Sequence, residues 1–427
     1  MTMRIAVIGL GYIGLPTAAA FAAGGHRVLG YDANAALRAS LAAGRVEVDE
    51  RAVREAVETA LASGRLQVVD AVPDAEAYVL CLPTPTRGGM PDLRAVEHAA
   101  AAVAEVAAPG AILILESTVP PGATERVLGR ALAARGKALA DFHVAHCPER
   151  VIPGAIMREL RGNARVVGGR TPEDGELVRR LYASFCAGEI AVTSTAAAEF
   201  IKVVENTYRD VNIAFANELA VVAEELGIDV WESIALANKH PRVAILAPGP
   251  GVGGHCIPVD PHFLSDANPF ATELIQAARR VNDRMPHRVA RRVAELVNHE
   301  GAKIALLGAA YKADIDDARE SPTLRIDALL RERGYETAIH DPHVARFPRP
   351  LCALEDALAG ADALVLVTGH AAFRAIVPAR AGALMRGRLL VDTRAFFPAA
   401  AWENGGFACC VLGRPFRRAP AAAEVPA

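Results

Sequence analysis

The sequence predicts an α/β protein with two Rossmann-like, doubly wound parallel-sheet domains, joined by a long central helix and a helical dimerisation domain. Short aliphatic runs alternate with Ala-rich helical stretches before residue 190 and again after residue 300, an order typical of parallel sheets. Residues 196–240 contain no strand signal but carry apolar residues at helical spacing. We therefore expect domains at residues 1–193, 194–294 and 295–416, followed by a flexible tail at 417–427.

Each expected strand is a run of aliphatic or β-branched residues. In the first domain the strands are expected at residues 5–8, 28–31, 77–81, 112–115, 143–145 and 165–168. In the second sheet domain they are expected at residues 303–307, 336–340, 363–367 and 389–391. Helical stretches separate these runs, so each sheet should be parallel and covered by helices on both faces.

The central helix is predicted from eight apolar residues that recur every three or four positions. They are Phe200, Val204, Tyr208, Val211, Phe215, Leu219, Val222 and Leu226. Gly227 follows them as a stop signal, and we expect this helix to be both a spine between the sheets and a dimer surface. Lys202, Asn206 and Arg209 form a polar stripe roughly opposite. This stripe faces either solvent or a ligand, and the spacing alone does not decide between the two.

The composition is that of a folded globular protein. The chain has 427 residues, of which 52% are hydrophobic and 22% charged, with a formal net charge of −3, and these values exclude general disorder. No long basic run is present to bind nucleic acid. No apolar stretch approaches the roughly 20 residues that span a bilayer, and the first expected strand begins almost at once. We therefore expect a cytoplasmic protein with neither a nucleic-acid nor a membrane partner.

Cysteine and histidine spacing indicates neither a disulfide framework nor a metal site. The seven cysteines are scattered and include no C-x-x-C pair. Two His-containing clusters, at residues 143–147 and 340–343, match no metal-binding spacing. We therefore expect no metal.

The segment Gly9-Leu-Gly11-Tyr-Ile-Gly14 follows a strand and opens a helix, and Asp32 closes the next strand. In a dinucleotide fingerprint the first glycine permits the turn, the second lets the backbone approach the pyrophosphate, and the third lets the helix pack on the strand. Asp32 would bind the ribose hydroxyls and repel a 2′-phosphate. A glycine triplet alone is also typical of a plain tight turn, but with strand, helix and acid in place we predict an NAD site.

The second sheet domain begins with a similar but bulkier segment, Gly308-Ala-Ala-Tyr311-Lys312. Side chains stand where the later glycines would be, so we expect no second dinucleotide there. Lys312, Arg319 and Arg394 follow strand ends and either bind a smaller anion such as a diphosphate or are ordinary surface charges.

Residues 248–261 are too rich in Gly and Pro for a regular element, so they form a loop with unusual backbone angles or close contact to a ligand. Cys256 within this loop is a candidate nucleophile, unlike the other six cysteines, which are more typical of inert packing. Asp260 is a candidate base, and the role of His255 stays open. Thr118 and Glu149 follow strands of the first domain and are acid/base candidates.

With these residues assembled, the chain resembles the UDP-glucose/GDP-mannose dehydrogenase family over nearly its whole length. The matching motifs are Gly9-Leu-Gly-Tyr-Ile-Gly-Leu-Pro16, Pro83-Thr84-Pro85, Glu116-Ser-Thr118, Pro148-Glu-Arg150, Lys202 with Glu205-Asn206, Gly253-Gly-His-Cys256 with Asp260, and Tyr311-Lys312 with Asp316-Asp317 and Arg319.

This resemblance implies that the first domain binds NAD, the central domain dimerises and the last sheet domain binds a UDP-sugar. It also implies oxidation of the sugar C6 alcohol to a carboxylate by two NAD molecules, through a thiohemiacetal and a thioester on Cys256. Within the family, residues 209–219 and 237–243 are most similar to enzymes that oxidise UDP-N-acetyl-D-mannosamine for surface polysaccharides, although Arg394 stands where Lys is expected. UDP-N-acetylglucosamine, UDP-glucose and GDP-mannose stay open as alternative substrates.

The resemblance also implies roles for individual residues. Cys256 would be the nucleophile, Lys202 and Asn206 would stabilise the oxyanion, and Asp260, Glu149 and Thr118 would handle protons and the hydrolytic water. The NAD contacts would be Gly9, Gly11, Tyr12, Ile13, Gly14, Asp32, Thr84, Thr118 and Arg319. The UDP-sugar contacts would be Arg150, Val151, Lys202, Asn206, Arg209, His240, Arg242, Gly253, Tyr311, Lys312 and Arg394.

Two other classes share part of this pattern. A two-electron hydroxyacid dehydrogenase would share the glycine fingerprint and the long helix but has no use for a loop cysteine. An NAD-sensing regulatory module would bind the dinucleotide without turnover and leaves Lys202, Cys256 and Asp260 unexplained.

Overall fold

The computed structural model describes residues 2–416 except for residues 49, 88, 89 and 153. The chain divides into two compact units. The first extends to Glu205 and includes His262–Ala271, and the second comprises Asn206–Pro261 and the chain from Thr272 onward. The expected tail at 417–427 lies outside the described residues.

The first unit contains an eight-stranded sheet and a short hairpin, β5 with β6. The strands are β1 (Arg4–Ile8), β2 (Arg27–Tyr31), β3 (Leu66–Val68), β4 (Ala77–Leu80), β5 (Thr86–Arg87), β6 (Met90–Pro91), β7 (Ile112–Leu115), β8 (His143–His146), β9 (Arg165–Gly169) and β10 (Ile190–Ser194). The sheet order is β10-β9-β8-β7-β4-β1-β2-β3. The order therefore reverses between β1 and β4, which is where open α/β sheets bind ligands.

The helices of this unit cover both faces of the sheet, as expected. They are α1 (Gly14–Ala23), α2 (Ala35–Ala42), α3 (Arg51–Ala62), α4 (Arg94–Val106), α5 (Ala123–Ala133), α6 (Ile156–Gly162) and α7 (Pro172–Tyr182). Alternate residues of β7 enter opposite cores: Ile112 and Ile114 pack with α1, whereas Leu113 and Leu115 pack with α4 and α5. Burial on both faces explains the nearly continuous apolar strand sequences.

One strand pairing differs from the parallel order expected from the sequence. Among the described residues of this sheet, β9 pairs antiparallel with β8, through Ala145 with Gly169 and His146 with Gly168. The intervening α6 packs against α1 and α3, so the chain enters β9 from the opposite end. The edge strands β3 and β10 were not expected, because β3 is short and β10 ends in polar residues.

The long helix α8 (Thr195–Leu226) forms as predicted and ends before Gly227, whose φ of +74° favours glycine. Its burial is the reverse of a simple amphipathic helix. Phe200, Tyr208 and Leu226 are 49%, 57% and 67% exposed, and the other five predicted apolar positions are also at least partly exposed. The buried positions are Thr195, Ala198, Glu199, Val203, Asn206, Thr207, Asp210, Ala214, Ala216, Asn217, Ala220 and Ala223.

The hypothesis that the polar stripe faces solvent is therefore wrong for Asn206, which is 8% exposed, while Arg209 is exposed and Lys202 is half-buried. Helical spacing identifies which residues share a face. It does not identify which face the rest of the chain covers.

The second unit contains a five-stranded parallel sheet in the order β12-β11-β13-β14-β15. Its strands are β11 (Lys303–Leu307), β12 (Glu336–His340), β13 (Ala363–Leu366), β14 (Leu389–Asp392) and β15 (Ala408–Val411). Apolar clusters fill both faces. The strand β15, with the sequence ACCV, was not expected from the sequence.

Helices α9 to α15 complete the chain. They are α9 (Val230–Ala237), α10 (Asp260–Ala267), α11 (Glu273–Leu296), α12 (Pro322–Arg331), α13 (Leu354–Leu358), α14 (Pro378–Leu384) and α15 (Ala399–Asn404). Among the described residues, no helix combines the length and the apolar character needed to cross a bilayer.

Candidate active site

The glycine fingerprint lies at the reversal point of the first sheet. Gly9 has a φ of +94°, and its N–H donates to the Tyr31 carbonyl at 2.7 Å. A Cβ on Gly14 would lie 1.8 Å from the Gly9 oxygen, whereas a Cβ on Gly11 would meet no atom within 4 Å. Gly14 is therefore required for packing. Gly11 leaves open space in which a ligand phosphate can approach the protein backbone.

Asp32, which follows β2, stabilises this loop by hydrogen bonds. Its Oδ2 accepts from the Leu10 N–H and its Oδ1 from the Asn34 N–H, both at 2.8 Å. Tyr12 is 47% exposed at the start of α1, close in sequence to half-buried Ile13. The glycine turn, the open space at Gly11 and the acid at the strand end fit a dinucleotide.

Thr84 and Thr118 follow β4 and β7, which are neighbouring strands of the same sheet. Both are half-buried. Parallel strands end at one edge of a sheet, so the loops that carry these two hydroxyls share the edge with the glycine loop.

Glu149 is held by a buried ion pair. Its Oε2 accepts from Arg165 Nη2 at 3.0 Å, its Oε1 accepts from the Arg150 N–H at 2.6 Å, and both charged side chains are under 10% exposed. The Arg165 guanidinium also lies 5.2 Å from the Tyr182 ring centroid. The carboxylate therefore has a fixed orientation, which the sequence did not reveal because Arg165 lies inside a strand.

Two cysteines of the first unit lie in this buried region and are unsuited to nucleophilic chemistry. Cys81 Sγ donates to Glu116 Oε2 at 3.0 Å, and the Tyr182 hydroxyl donates to Oε1 at 2.5 Å. Burial raises the pKa of Cys147 to about 12, and burial together with Glu116 raises the pKa of Cys81 well above its usual range. Both stay protonated at neutral pH, as inert packing cysteines do.

Arg150 and Val151 follow Glu149 in the same segment. The Arg150 guanidinium forms a bidentate ion pair with Glu205, at 3.0 Å from Nε and 2.5 Å from Nη2. Val151 packs at the edge of the apolar core. The predicted substrate residue Arg150 is thus held by Glu205 on α8, within the first unit.

In the second unit, the loop that carries Cys256 packs tightly against Tyr311. A Cβ on Gly253 would lie 2.7 Å from the Tyr311 Cβ, and Gly254, with a φ of +84°, approaches the same ring. The Gly254 N–H donates to the Arg319 carbonyl at 3.0 Å. The glycines are needed because any side chain would push the loop away from Tyr311.

Cys256 lies half-buried at the turn that starts α10. Its carbonyl accepts from the N–H groups of Val259 and Asp260, at 3.1 and 2.8 Å. The Asp260 side chain is 3% exposed, and its Oδ2 accepts from Asn206 Nδ2 at 2.6 Å. Three of the predicted catalytic residues of this unit are therefore brought together by one turn and one helix.

Charged side chains surround this turn. Burial, followed by Asp317 and Cys256, raises the pKa of Tyr311, and Arg319 and Arg209 act in the opposite sense. Arg319 forms a bidentate ion pair with Asp317, with distances of 2.9 and 2.6 Å from Nε and Nη2. The Arg319 guanidinium also interacts electrostatically with Cys256.

Arg394 lies beneath the beginning of the same loop. Its Nε donates to the Val367 carbonyl at 3.1 Å, and a Cβ on Gly249 would lie 2.4 Å from its Nη1. Burial lowers the pKa of Arg394 to about 10, so it is still charged at neutral pH. Lys312, His240 and Arg242 are exposed, and the Arg242 N–H donates to His240 Nδ1 at 3.3 Å.

A buried polar network holds this loop, and sequence reasoning missed it. The Gly249 N–H donates to Asn217 Oδ1, and Asn217 Nδ2 donates to Asn282 Oδ1. Asn282 and Arg279 both donate to Asp210 on α8. Asparagines in the interior of long helices were the available signal, because asparagine is a poor helix former unless its side chain has a partner.

In the second sheet, the loop after β11 has no open space at the position that corresponds to Gly11. Asp341 Oδ2 accepts from the N–H groups of Ala309 and Ala310, and Ala310 is fully buried. The open space found at Gly11 has no equivalent at Ala310. This arrangement supports the expectation that a smaller group than a dinucleotide binds here.

One cluster of possible metal ligands occurs in the described part of the chain, comprising Asp314, His343 and His370. His370 Nδ1 accepts from the Asp314 N–H, and its Nε2 donates to Asp341 Oδ2 at 2.9 Å. Both ring nitrogens are already used, so His370 has no lone pair to offer a metal.

Three segments match the domains of the UDP-glucose/GDP-mannose dehydrogenase family. Residues 3–186 match its NAD binding domain, residues 196–284 its central domain and residues 305–399 its UDP binding domain. The chain belongs to this family. The predicted fold class and the NAD cofactor are thereby confirmed, and the chain is an NAD-dependent dehydrogenase with a UDP-sugar binding domain.

Curated relatives and solved structures agree with this family. A UDP-N-acetyl-D-mannosamine dehydrogenase of Salmonella typhi is 44% identical, covering 91% of this chain and 98% of the relative. An NDP-N-acetyl-D-galactosaminuronic acid dehydrogenase of Ralstonia nicotianae is 42% identical, covering 92% and 96%. The solved UDP-D-ManNAc dehydrogenase of Pyrococcus horikoshii has a TM-score of 0.90 at 41% identity, covering 96% and 99%.

The two glycines of the fingerprint should respond differently to alanine. Gly14→Ala places a methyl group against the Gly9 carbonyl and should destabilise the protein by about 1–3 kcal/mol. Gly11→Ala meets open space and should change the free energy of unfolding by under about 0.5 kcal/mol, yet weaken NAD binding about tenfold or more, because the methyl group occupies the pyrophosphate approach. Thermal unfolding and a fluorescence titration with NAD measure both quantities.

Gly162→Ala is the matched control, because its Cβ also meets open space but lies at the end of α6. It should change neither quantity. Unchanged NAD affinity in Gly11→Ala would show that the cofactor does not approach this glycine.

Proposed function

We propose that this protein oxidises the C6 alcohol of UDP-N-acetyl-D-mannosamine to the carboxylate of UDP-N-acetyl-D-mannosaminuronate, with two molecules of NAD. Relatives at 44, 39 and 42% identity carry the name UDP-N-acetyl-D-mannosamine dehydrogenase. The observation that carries the chemistry is the hydrogen bond of Asn206 with Asp260, on the turn that presents Cys256.

Cys256 is the proposed nucleophile. Its thiolate adds to the C6 aldehyde formed by the first oxidation and, after protonation of the oxygen, gives a thiohemiacetal. The thiohemiacetal loses this hydroxyl proton and a hydride to become a thioester. Water then cleaves the thioester, releasing the uronic acid and the free thiol. Covalent attachment keeps the aldehyde from escaping between the two oxidations.

Lys202 and Asn206 are proposed to stabilise the oxygen anion at C6. Asn206 Nδ2 has two hydrogens, and one of them is already bound to Asp260, so its orientation is set before substrate arrives. The Lys202 ammonium group adds a full positive charge. Donors that are aligned in advance stabilise the developing charge without reorganising during the reaction.

Asp260, Glu149 and Thr118 are proposed to handle protons and the hydrolytic water. Asp260 is buried and accepts from Asn206, so its carboxylate is held next to the amide proposed to stabilise the oxyanion. Glu149 is fixed by Arg165, so it acts as an oriented acceptor. Glu149 lies in the segment after β8, and Asp260 is the first residue of α10.

Bound NAD accepts the hydride in each oxidation. The residues proposed to hold it are Gly9, Gly11, Tyr12, Ile13, Gly14, Asp32, Thr84, Thr118 and Arg319. Within this set, the backbone of the glycine loop and the N-terminus of α1 bind the pyrophosphate, and Asp32 accepts from the ribose hydroxyls.

The UDP-sugar is proposed to contact a largely cationic set of residues. The set comprises Arg150, Val151, Lys202, Asn206, Arg209, His240, Arg242, Gly253, Tyr311, Lys312 and Arg394. Arginine and lysine suit a diphosphate, and Arg394 keeps its charge although burial lowers its pKa to about 10. Although lysine is expected at this position, an arginine also donates hydrogen bonds to a phosphate.

The reaction should yield two NADH for each molecule of UDP-N-acetyl-D-mannosamine, because oxidation of an alcohol to a carboxylate removes four electrons. NADH absorbance with limiting nucleotide sugar measures this ratio, in parallel with UDP-N-acetylglucosamine, UDP-glucose and UDP-N-acetylgalactosamine. Two NADH from another sugar alone would retain the mechanism and replace the substrate. One NADH or none from every sugar would contradict the four-electron mechanism.

Replacement of the nucleophile should abolish release of the uronic acid. Cys256→Ser should lower kcat by about a thousandfold or more, as removal of a catalytic nucleophile does. Cys352→Ser is the control, since Cys352 Sγ donates to the Ile339 carbonyl and a serine hydroxyl can do the same. Uronic acid release by Cys256→Ser at a rate near that of the wild type would refute the covalent mechanism.

We further propose that the protein is a homodimer formed through α8. The exposed side of this helix carries Phe200, Tyr208, Phe215 and Val222 at 46–57% exposure, and an apolar stripe of this length is typical of a protein interface. A stable dimer buries about 800 Å² on each partner, and a 32-residue helix is long enough to provide much of that area.

Phe215→Glu should convert the dimer to a monomer, because burying an unpaired carboxylate costs several kcal/mol. Sedimentation velocity at micromolar concentration measures the mass, and Glu218→Gln on the same helix is the control. A monomeric wild-type protein, or a Phe215→Glu variant that still dimerises, would contradict an α8 interface.

The expected cytoplasmic location is also part of this proposal. It is supported by seven cysteines that are all free in the structure, since disulfides are rare in reducing compartments.

A further inference from the structure

His146 is a buried imidazole that the proposed mechanism does not use. It ends β8, directly before the segment that contains Glu149, and it is 0% exposed. Its Nδ1 lies 3.2 Å from Thr124 Oγ1, whereas its Nε2 has no hydrogen-bond partner among the described residues. Buried polar atoms are nearly always paired, so this nitrogen calls for a specific explanation.

Glu199 determines which nitrogen of His146 carries the proton. Its carboxylate accepts from the N–H groups of Gly122 and Thr124 at the start of α5, and from the Thr124 hydroxyl. Since the hydroxyl proton is directed to Glu199, the Thr124 oxygen accepts from His146. The proton therefore lies on Nδ1, and Nε2 presents a lone pair.

Lys202 supplies positive charge near this lone pair. It lies three residues beyond Glu199 on α8, so the two side chains share a side of the helix. Burial first, and then the charge of Lys202, lower the pKa of His146 to about 3, while the Leu115 backbone acts in the opposite sense. The imidazole is thus neutral at any pH near neutrality, and a neutral ring can accept a hydrogen bond from an ammonium group.

The Lys202 ammonium group does not hydrogen-bond to His146 Nε2 in this structure. We propose that rotation of the lysine stem brings the two together, and that His146 is a positioning residue whose Nε2 then accepts from the Lys202 ammonium group and directs its remaining N–H donors at the substrate. The inference rests on the proposed function, in which Lys202 stabilises the C6 oxyanion. A lysine ammonium rotates freely on a flexible four-carbon stem. One fixed acceptor restricts that rotation, and the chain from Glu199 through Thr124 to His146 holds the acceptor in place.

Replacement of His146 should lower kcat and leave cofactor binding unchanged. His146→Leu should reduce kcat about 10- to 100-fold, the effect of misplacing a catalytic group, with the KM for NAD within about twofold of the wild type. His146→Gln keeps an acceptor near the Nε2 position and should retain most of the activity. His98→Leu, at an exposed position on α4, is the control.

A lysine resonance tests the contact without turnover. The chain has five lysines, Lys137, Lys202, Lys239, Lys303 and Lys312. Reductive ¹³C-methylation leaves one N–H on each charged amine, and loss of a signal in Lys202→Arg assigns Lys202. Its chemical shift and pKa should change in His146→Leu and not in His98→Leu.

Two results would overturn the proposal: a kcat for His146→Leu within twofold of the wild type, or a Lys202 resonance that does not respond to the same substitution.

If His146→Leu does not fold, Thr124→Val tests the proposal in its place. It removes the hydroxyl that sets the tautomer and should lower kcat several-fold, whereas Thr124→Ser should not, and equal activity in both would refute the idea. If the wild type oxidises no nucleotide sugar, the proposed function fails, and the lysine resonance still tests the contact.

Discussion

The buried polar face of α8 is the constraint on which the candidate site depends. Each polar side chain on that face needs a hydrogen-bond partner inside the protein, and the partners are the site elements. Glu199 receives the N-terminus of α5, Asn206 donates to Asp260 on the turn after Cys256, and Asn217 accepts from Gly249 at the start of the same loop. The apolar side of the helix is left exposed.

The two sheets hold the loop after their first strand in the same way, but they leave different amounts of space above it. In each, an acid at the end of the second strand accepts from the backbone of the loop after the first strand, Asp32 in one case and Asp341 in the other. What differs is the space above the loop. Gly11 leaves it open, whereas Ala310 is fully buried, so one loop suits a dinucleotide and the other suits a smaller anionic group.

The cysteines also differ in burial, which affects how readily each thiol ionises. Desolvation disfavours a thiolate, and it raises the pKa of Cys81 and Cys147 in the first unit. Cys256 instead lies half-buried on a glycine-rich loop, in a region with Arg319 and Tyr311. The proposed nucleophile is therefore distinguished from Cys147 by its lesser burial and from both cysteines by the neighbouring Arg319 guanidinium.

The sequence by itself determined the two α/β domains, the extent of α8, the glycine fingerprint with Asp32, and the loop that contains Cys256. Strand runs, helix spacing and glycine positions are local, so a single chain displays them. Only the tertiary structure decided which face of α8 is buried, the antiparallel direction of β9, the Arg165 support of Glu149 and the unpaired nitrogen of His146. These features depend on which distant side chains meet, and residue spacing along the chain contains no such information.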